Sequence, residues 1–198
     1  MTAIINAIKD VLYDTWPMIA LSCVVLIALR VAYLIMNKKP FIISNEIMSL
    51  AFVIYILCMF QIVTSQDVSS VHGVNITLFK ELTRYEIGSK LFYRNIIGNI
   101  MMFIPFGFFT SYYLKLNRKT FIFFLTLIVS TVIELIQLKI GRAFDVDDII
   151  LNMIGTLSGY YLYRLVDSVI GELGETVKGT LAIITVLVFI VFLAIIII

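Results

Sequence analysis

The chain has 198 residues, of which 61% are hydrophobic and 14% are charged, and its mean hydropathy is +1.05. Soluble domains are typically about 45–50% apolar and about 25% charged, so this composition excludes an ordinary soluble domain and indicates a polytopic membrane protein. The formal net charge of +2 is too small for a nucleic-acid-binding surface, and no basic stretch is interleaved with aromatic residues. Nucleic acid is therefore not expected as a partner.

Six stretches are long and apolar enough to be membrane-spanning helices, since a bilayer core requires about 20 mainly apolar residues per helix. In chain order they are residues 16–36, 47–65, 96–114, 121–138, 149–166 and 180–198. The last stretch is the most apolar and contains no charged residue. The expected fold class is all-α, a polytopic integral membrane helix bundle of about six transmembrane helices.

The connections divide the chain into three predicted regions. Residues 1–73 contain two N-terminal transmembrane helices, residues 74–166 contain a loop and a three-helix core, and residues 167–198 contain a short loop and a C-terminal transmembrane helix. Within the long loop, residues 78–92 mix apolar and charged side chains at near-helical spacing. This pattern predicts an interfacial helix that lies over the opening of the bundle.

Lysine and arginine in the short loops predict the orientation, because cytoplasmic loops are enriched in these residues. Five of them follow the first and third spans: Lys38, Lys39, Lys115, Arg118 and Lys119. The long loop and the short loop 139–148 are then expected to face outward, and six spans place both termini outside. The inverse orientation stays open, because the long loop is also basic in part, with Lys80, Arg84, Lys90 and Arg94.

Polar residues concentrate near one end of the third, fourth and fifth spans, whichever way the protein is oriented. On a helix, residues three or four positions apart share a face, so Glu134 aligns with Gln137, and Asp145, Asp148 and Asn152 align with one another. Together with Asn99 and Arg142, these side chains are expected to form one polar site. The predicted substrate-binding residues are Asn99, Glu134, Gln137, Arg142, Asp145, Asp148 and Asn152.

Glu134 requires an explanation, because a charged group inside a bilayer costs several kcal/mol by most scales and faces a cavity or a partner. It is protonated, pairs with a group such as Arg142, or lines a water-filled pocket, and these three states are compatible. A purely structural interpretation also stays open. Asp145 can cap the fifth span, with Asp147 and Asp148 in its first turn, where acidic side chains complement the helix dipole. We expect a structural role for Asp147, which lies off the shared face.

Four blocks of the sequence resemble motifs of the VanZ-like family of membrane proteins. Asn99-x-x-x-Phe103-x-Pro105-x-Gly107 is similar to one family segment, and Glu134-x-x-Gln137 is similar to its E-x-x-Q pair. The most distinctive block is Arg142-x-x-Asp145-x-x-Asp148-x-x-x-Asn152-x-x-Gly155. Upstream, residues 74–79 resemble a looser element, with Leu78 where proline is usual. The resemblance covers roughly residues 74–166, so that the first, second and sixth spans lie outside it.

The resemblance implies a multi-pass protein of the cell membrane. The family is named after a protein that accompanies glycopeptide-resistance clusters in Gram-positive bacteria. The resemblance implies lower sensitivity to teicoplanin-type lipoglycopeptides. Many family members lie outside resistance clusters, however, and an ordinary envelope role is equally compatible with the resemblance. The expected partners are membrane lipids and, beyond them, a lipid-linked cell-wall precursor or a lipoglycopeptide. No cofactor and no metal are expected, and the oligomeric state stays open.

Three mechanisms are compatible with the polar site. In the first, the protein binds or modulates an envelope component, with Arg142 contacting an anionic group and the carboxylates accepting hydrogen bonds. In the second, it is an intramembrane enzyme that acts on a lipid-linked or acylated substrate, with Glu134 as acid and Asp148 as base, because carboxylates in unlike surroundings divide these roles. In the third, it is a small transporter or flippase. A transporter would need polar groups at the midplane and on both sides, so their concentration at one end ranks it last, whereas binding comes first and the enzyme follows closely.

Overall fold

A computed structural model of the chain describes residues 2–65, 73–115 and 118–170, together with Thr180 and Ile184. In chain order the elements are α1 (Thr2–Met36), α2 (Ile43–Ser65), β1 (Val74–Asn75), α3 (Lys80–Arg84), α4 (Lys90–Phe92), a π-helical segment (Tyr93–Ile97), α5 (Gly98–Leu114), α6 (Lys119–Lys139), β2 (Phe144–Asp145) and α7 (Val146–Ile170). The two strands have two residues each, so the all-α prediction is confirmed.

Five of the six predicted spans coincide with long helices, namely α1, α2, α5, α6 and α7. Among the described helices, three are long and apolar enough to cross a membrane: Asn45–Thr64, Asn95–Leu114 and Lys119–Lys139. Ala20–Met36 is a shorter apolar stretch within α1. The sixth predicted span, 180–198, lies outside the described residues apart from Thr180 and Ile184. The described part of the chain therefore contains five long helices rather than six.

The described residues belong to two compact units, of which the first contains α1 and α2. An ion pair joins these two helices: Arg30 Nε donates to Glu46 Oε2 at 2.7 Å, and Arg30 Nη2 donates to Glu46 Oε1 at 3.0 Å. Two parallel bonds hold a guanidinium and a carboxylate in one geometry. The pair therefore links the two helices near the end where α1 passes into α2.

The second unit extends from β1 to α7, and α7 is its central helix, because α5 and α6 both pack against it. Glycines bring the backbones of α5 and α7 into direct contact. A Cβ atom at Gly155 would overlap the carbonyl oxygen of Ile100, and one at Gly159 would overlap that of Ile104. Small residues permit this close approach in membranes, where helices associate by packing rather than by the hydrophobic effect.

The long loop is not the single interfacial helix predicted over residues 78–92. It consists of the short helix α3, a turn at residues 85–89 and α4, which continues through the π-helical segment into α5. Two backbone conformations explain the interruption. Tyr85 is extended, with φ −98° and ψ 131°, and ends α3, and Gly88 has φ 89°, so the chain leaves helical geometry between α3 and α4. Phe79, with φ 63°, lies directly before α3.

Replacing Gly155 with alanine is expected to destabilise the second unit, because the new methyl group meets backbone and not a movable side chain. Overpacking of this kind typically costs about 1–3 kcal/mol. Thermal unfolding of the detergent-solubilised protein measures the effect, with Ser158→Ala as the control, because Ser158 is an exposed small residue of α7. Equal melting temperatures for Gly155→Ala and Ser158→Ala would contradict the close packing.

Candidate functional site

The connection between α6 and α7 folds back tightly on the end of α6. Gly141, with φ 92°, allows the chain to reverse directly after the helix. The backbone N–H of Arg142 then donates to the carbonyl oxygen of Gln137 at 2.9 Å. This turn places Arg142 beside the last turns of α6 and directs the chain into β2 and α7.

Glu134 is buried in α6, with 1% of its surface exposed, and both of its carboxylate oxygens have donors. Oε2 accepts a hydrogen bond from the backbone N–H of Asp145 at 2.9 Å. In the amide orientation that satisfies its neighbours, Gln137 donates to Glu134 Oε1 at 3.0 Å and accepts a bond from Arg142 Nη1 at 2.5 Å. Gln137 of the E-x-x-Q pair thus bridges the Glu134 carboxylate to the Arg142 guanidinium. Glu134 therefore has the hydrogen bonds that a buried carboxylate requires.

Asp145 begins α7 and also holds the upstream loop. Its Oδ1 accepts the backbone N–H of Asp147 at 2.8 Å, which is the local bond expected of a residue that caps a helix. Its Oδ2 accepts a bond from Asn75 Nδ2 at 3.0 Å. The backbones of the two residues also lie side by side, because β1 and β2 pair in parallel and Asn75 is opposite Asp145.

Asp147 is fully buried and anchors the loop before α3. Its Oδ1 accepts the backbone N–H of Phe79 at 2.7 Å. The sequence predicts a structural role for Asp147, because it lies off the helix face that carries Asp148. The structure shows that Asp147 contacts the loop before α3. The part played by Asn75 and Phe79 was missed at the sequence level, although both lie in the upstream block that resembles a family element.

Two further side-chain pairs connect α7 to α5 and to α6. Asn99 of α5 donates to Asp148 Oδ1 at 2.5 Å, and both residues are half-buried. One turn deeper, Asn152 Nδ2 donates to Ser130 Oγ of α6 at 2.8 Å. Asn152 is 1% exposed, and its Oδ1 atom has no hydrogen-bond partner among the described residues. Sequence reasoning did not include Ser130, since a serine within an apolar helix gives little signal.

The seven predicted site residues therefore lie around one end of α5, α6 and α7, but in two settings. Four are buried, and their described hydrogen bonds connect the elements of the protein: Glu134, Gln137, Asp145 and Asn152. Three are half-buried and reach the surface: Asn99, Arg142 and Asp148. Across the described segments, no three His, Cys, Asp or Glu side chains converge in a way that could hold a metal ion.

These features define the class of protein. It is a helical membrane protein whose polar residues are gathered at one end of the α5–α7 helices. The VanZ/LLP1 family model matches residues 47–167, which is more than half of the chain, and the protein belongs to this family. The match includes nearly all of α2, upstream of the motifs that carried the resemblance. No curated protein and no solved structure matches the chain.

Replacing Asp147 with alanine is expected to release the loop from α7, because the Phe79 N–H loses its acceptor. A hydrogen bond to a charged group contributes about 1.5–3 kcal/mol. Hydrogen exchange followed by mass spectrometry should show faster exchange in peptides that contain Phe79. Asp167→Ala, which removes an exposed carboxylate from the same helix, is the control. Unchanged exchange around Phe79 in Asp147→Ala would contradict the anchor.

Replacing Ser130 with alanine is expected to destabilise the protein by about 1–3 kcal/mol, because the Asn152 amide is then buried without its described partner. Thr131→Ala is the matched control, since the Thr131 hydroxyl donates only within its own helix, to the carbonyl oxygen of Leu127. The double variant Ser130→Ala/Asn152→Leu should recover part of the loss in a thermal melt. A double variant that loses the sum of both single effects would argue against the pairing.

Proposed function

We propose that this VanZ-like envelope protein is a multi-pass protein of the cell membrane in a Gram-positive bacterium. In this proposal it lowers sensitivity to teicoplanin-type lipoglycopeptides by binding or modulating an envelope component. The ligand binds at the polar end of α5, α6 and α7, which faces outward. Lipid-linked cell-wall precursors are present at that membrane face, as are acylated drugs, and both carry polar groups next to a hydrocarbon chain.

The observation that carries this proposal is the way in which Arg142 is held. Its guanidinium donates to the Gln137 amide, and the Gln137 amide is fixed in turn by the buried Glu134 carboxylate. Arg142 itself is half-buried, so it reaches the surface of the bundle. A guanidinium is permanently charged and suits phosphate and carboxylate groups, and a supported side chain loses less entropy when it binds. These properties favour an anionic group as the ligand of Arg142.

Of the remaining site residues, some can contact the ligand and others hold the contacting residues in place. Asp148 and Asn99 are half-buried and can meet amines or sugar hydroxyls of the ligand. Glu134 and Asp145, at 1% and 6% exposure, accept bonds from the protein itself. We therefore assign them the role of positioning Arg142 and the start of α7, rather than direct contact with the ligand.

The enzymatic mechanism is less well supported by this geometry. A general acid must come within hydrogen-bond distance of the group that it protonates. The Glu134 carboxylate lies within the bundle, and its two oxygens face Asp145 and Gln137. The transporter mechanism is also less well supported, because a transporter would need polar groups deeper in the helices. The hydroxyls of Thr126 and Thr156, which lie there, donate to backbone carbonyls of their own helices.

The test compares inhibitory concentrations of teicoplanin and vancomycin in a sensitive Gram-positive host at matched membrane levels of each variant. The wild type should protect against teicoplanin more than against vancomycin. Arg142→Gln should lose this protection, since a lost charge-assisted bond weakens binding by about tenfold or more. Asp148→Asn should also lose it, because the amide retains the shape of the side chain and removes its charge.

The control variants are Arg164→Gln and Asp167→Asn, which change the same residue types at exposed positions near the other end of α7. Both should protect as well as the wild type. If Arg142→Gln protects fully at wild-type membrane levels, the assignment of Arg142 to the ligand is wrong. If well-expressed wild type gives no protection, the role in drug sensitivity is wrong, although membership of the family stands.

A further inference from the structure

The loop between β1 and α4 presents large apolar side chains outward. Four of them are more than half exposed: Ile76 at 75%, Leu78 at 55%, Phe79 at 55% and Ile87 at 91%. Large apolar side chains exposed within one loop suit contact with a protein or a membrane. We refer to residues 76–87 as the apolar loop.

Contacts with α7 place the apolar loop at one end of α5, α6 and α7. Its beginning is joined to the start of α7 by the pairing of β1 with β2 and by the bond from the Phe79 N–H to Asp147. Its end continues through α4 into α5, which is part of the apolar span Asn95–Leu114. The apolar loop therefore lies at the end of these helices where α5 and α7 begin and α6 ends, next to the start of the candidate span Asn95–Leu114.

The chemistry of the surrounding residues favours lipid as the partner. Leu91 and Tyr93, at 51% and 52% exposure, extend the apolar surface toward α5, and tyrosine is enriched at membrane interfaces. Among the charged side chains that the structure describes in the apolar loop, two are basic, Lys80 and Arg84, and one is acidic, Glu86, and all three are exposed. An excess of basic residues beside exposed apolar ones is the pattern of a segment that inserts at an anionic lipid surface.

The backbone of the apolar loop is fixed in a way that suits insertion. Phe79 adopts a left-handed conformation, which is uncommon for a bulky residue, while the buried Asp147 carboxylate holds its N–H. The Phe79 side chain is nevertheless more than half exposed. The bond to Asp147 fixes the backbone while the ring stays on the surface, where it is available to a lipid leaflet.

We propose that the apolar loop inserts into the leaflet at its end of the bundle. Ile76, Leu78, Phe79 and Ile87 enter the boundary region of the acyl chains, and Lys80 and Arg84 contact anionic lipid headgroups. The bonds from Asn75 to Asp145 and from Phe79 to Asp147 then connect a lipid-embedded segment to the first turn of α7. This proposal concerns the lipid surface and does not depend on the role in drug sensitivity.

The experiment places an environment-sensitive NBD fluorophore on the loop of the full-length protein. Cys23 and Cys58 are replaced by serine, and Ile87→Cys is labelled and reconstituted into phosphatidylcholine vesicles with or without phosphatidylglycerol. We expect blue-shifted emission and strong quenching by lipids that carry a nitroxide near the headgroup end of the acyl chain. Quenching should increase with phosphatidylglycerol, and Lys80→Gln/Arg84→Gln should remove that increase.

Two labelled positions provide controls. Lys39→Cys lies in the turn between α1 and α2, and Glu86→Cys is the exposed polar neighbour of Ile87. Quenching of the Ile87 label should exceed that of the Glu86 label. A red, unquenched Ile87 label would overturn the proposal. Blue-shifted emission without lipid quenching would also overturn it, because the loop would then pack against protein, including a second copy of this chain.

Discussion

The second unit depends on buried carboxylates that accept hydrogen bonds from backbone N–H groups. Glu134 accepts from Asp145, Asp145 accepts from Asp147, and Asp147 accepts from Phe79. Each acidic side chain thus fixes the backbone that carries the next group of the series. Because hydrogen bonds are stronger where water is excluded, this series fixes α6, the start of α7 and the upstream loop relative to one another.

This arrangement changes how the acidic residues of the sequence are understood. A run of aspartates before an apolar helix looks like an accumulation of charge at a ligand site. In the folded protein, Glu134 and Asp145 accept buried hydrogen bonds from backbone N–H groups, and Asp147 accepts a part-buried one from Phe79. What reaches the surface is smaller, namely Arg142 and the Asn99–Asp148 pair. A site of this kind suits recognition of a polar group by a few well-supported side chains.

Close packing of α5 against α7 and the polar series act together. The glycine contacts at Gly155 and Gly159 bring the two backbones close, and the Asn99–Asp148 bond crosses between the same helices at their polar end. Helices in a membrane gain little from the hydrophobic effect when they associate, so packing and hydrogen bonds determine their arrangement. The polar groups of the site are therefore also part of what holds the helices that carry them.

The sequence by itself determined the membrane class, the positions of five long helices and the clustering of polar residues, because hydropathy and helical spacing depend only on local order along the chain. The tertiary structure decided which of these residues are buried. It alone paired Asn75 with Asp145 and Phe79 with Asp147, since residues separated by about 70 positions leave no periodic signal. It also broke the predicted interfacial helix, because the extended backbone at Tyr85 and the left-handed backbone at Gly88 separate α3 from α4 despite the helical pattern of residues 78–92.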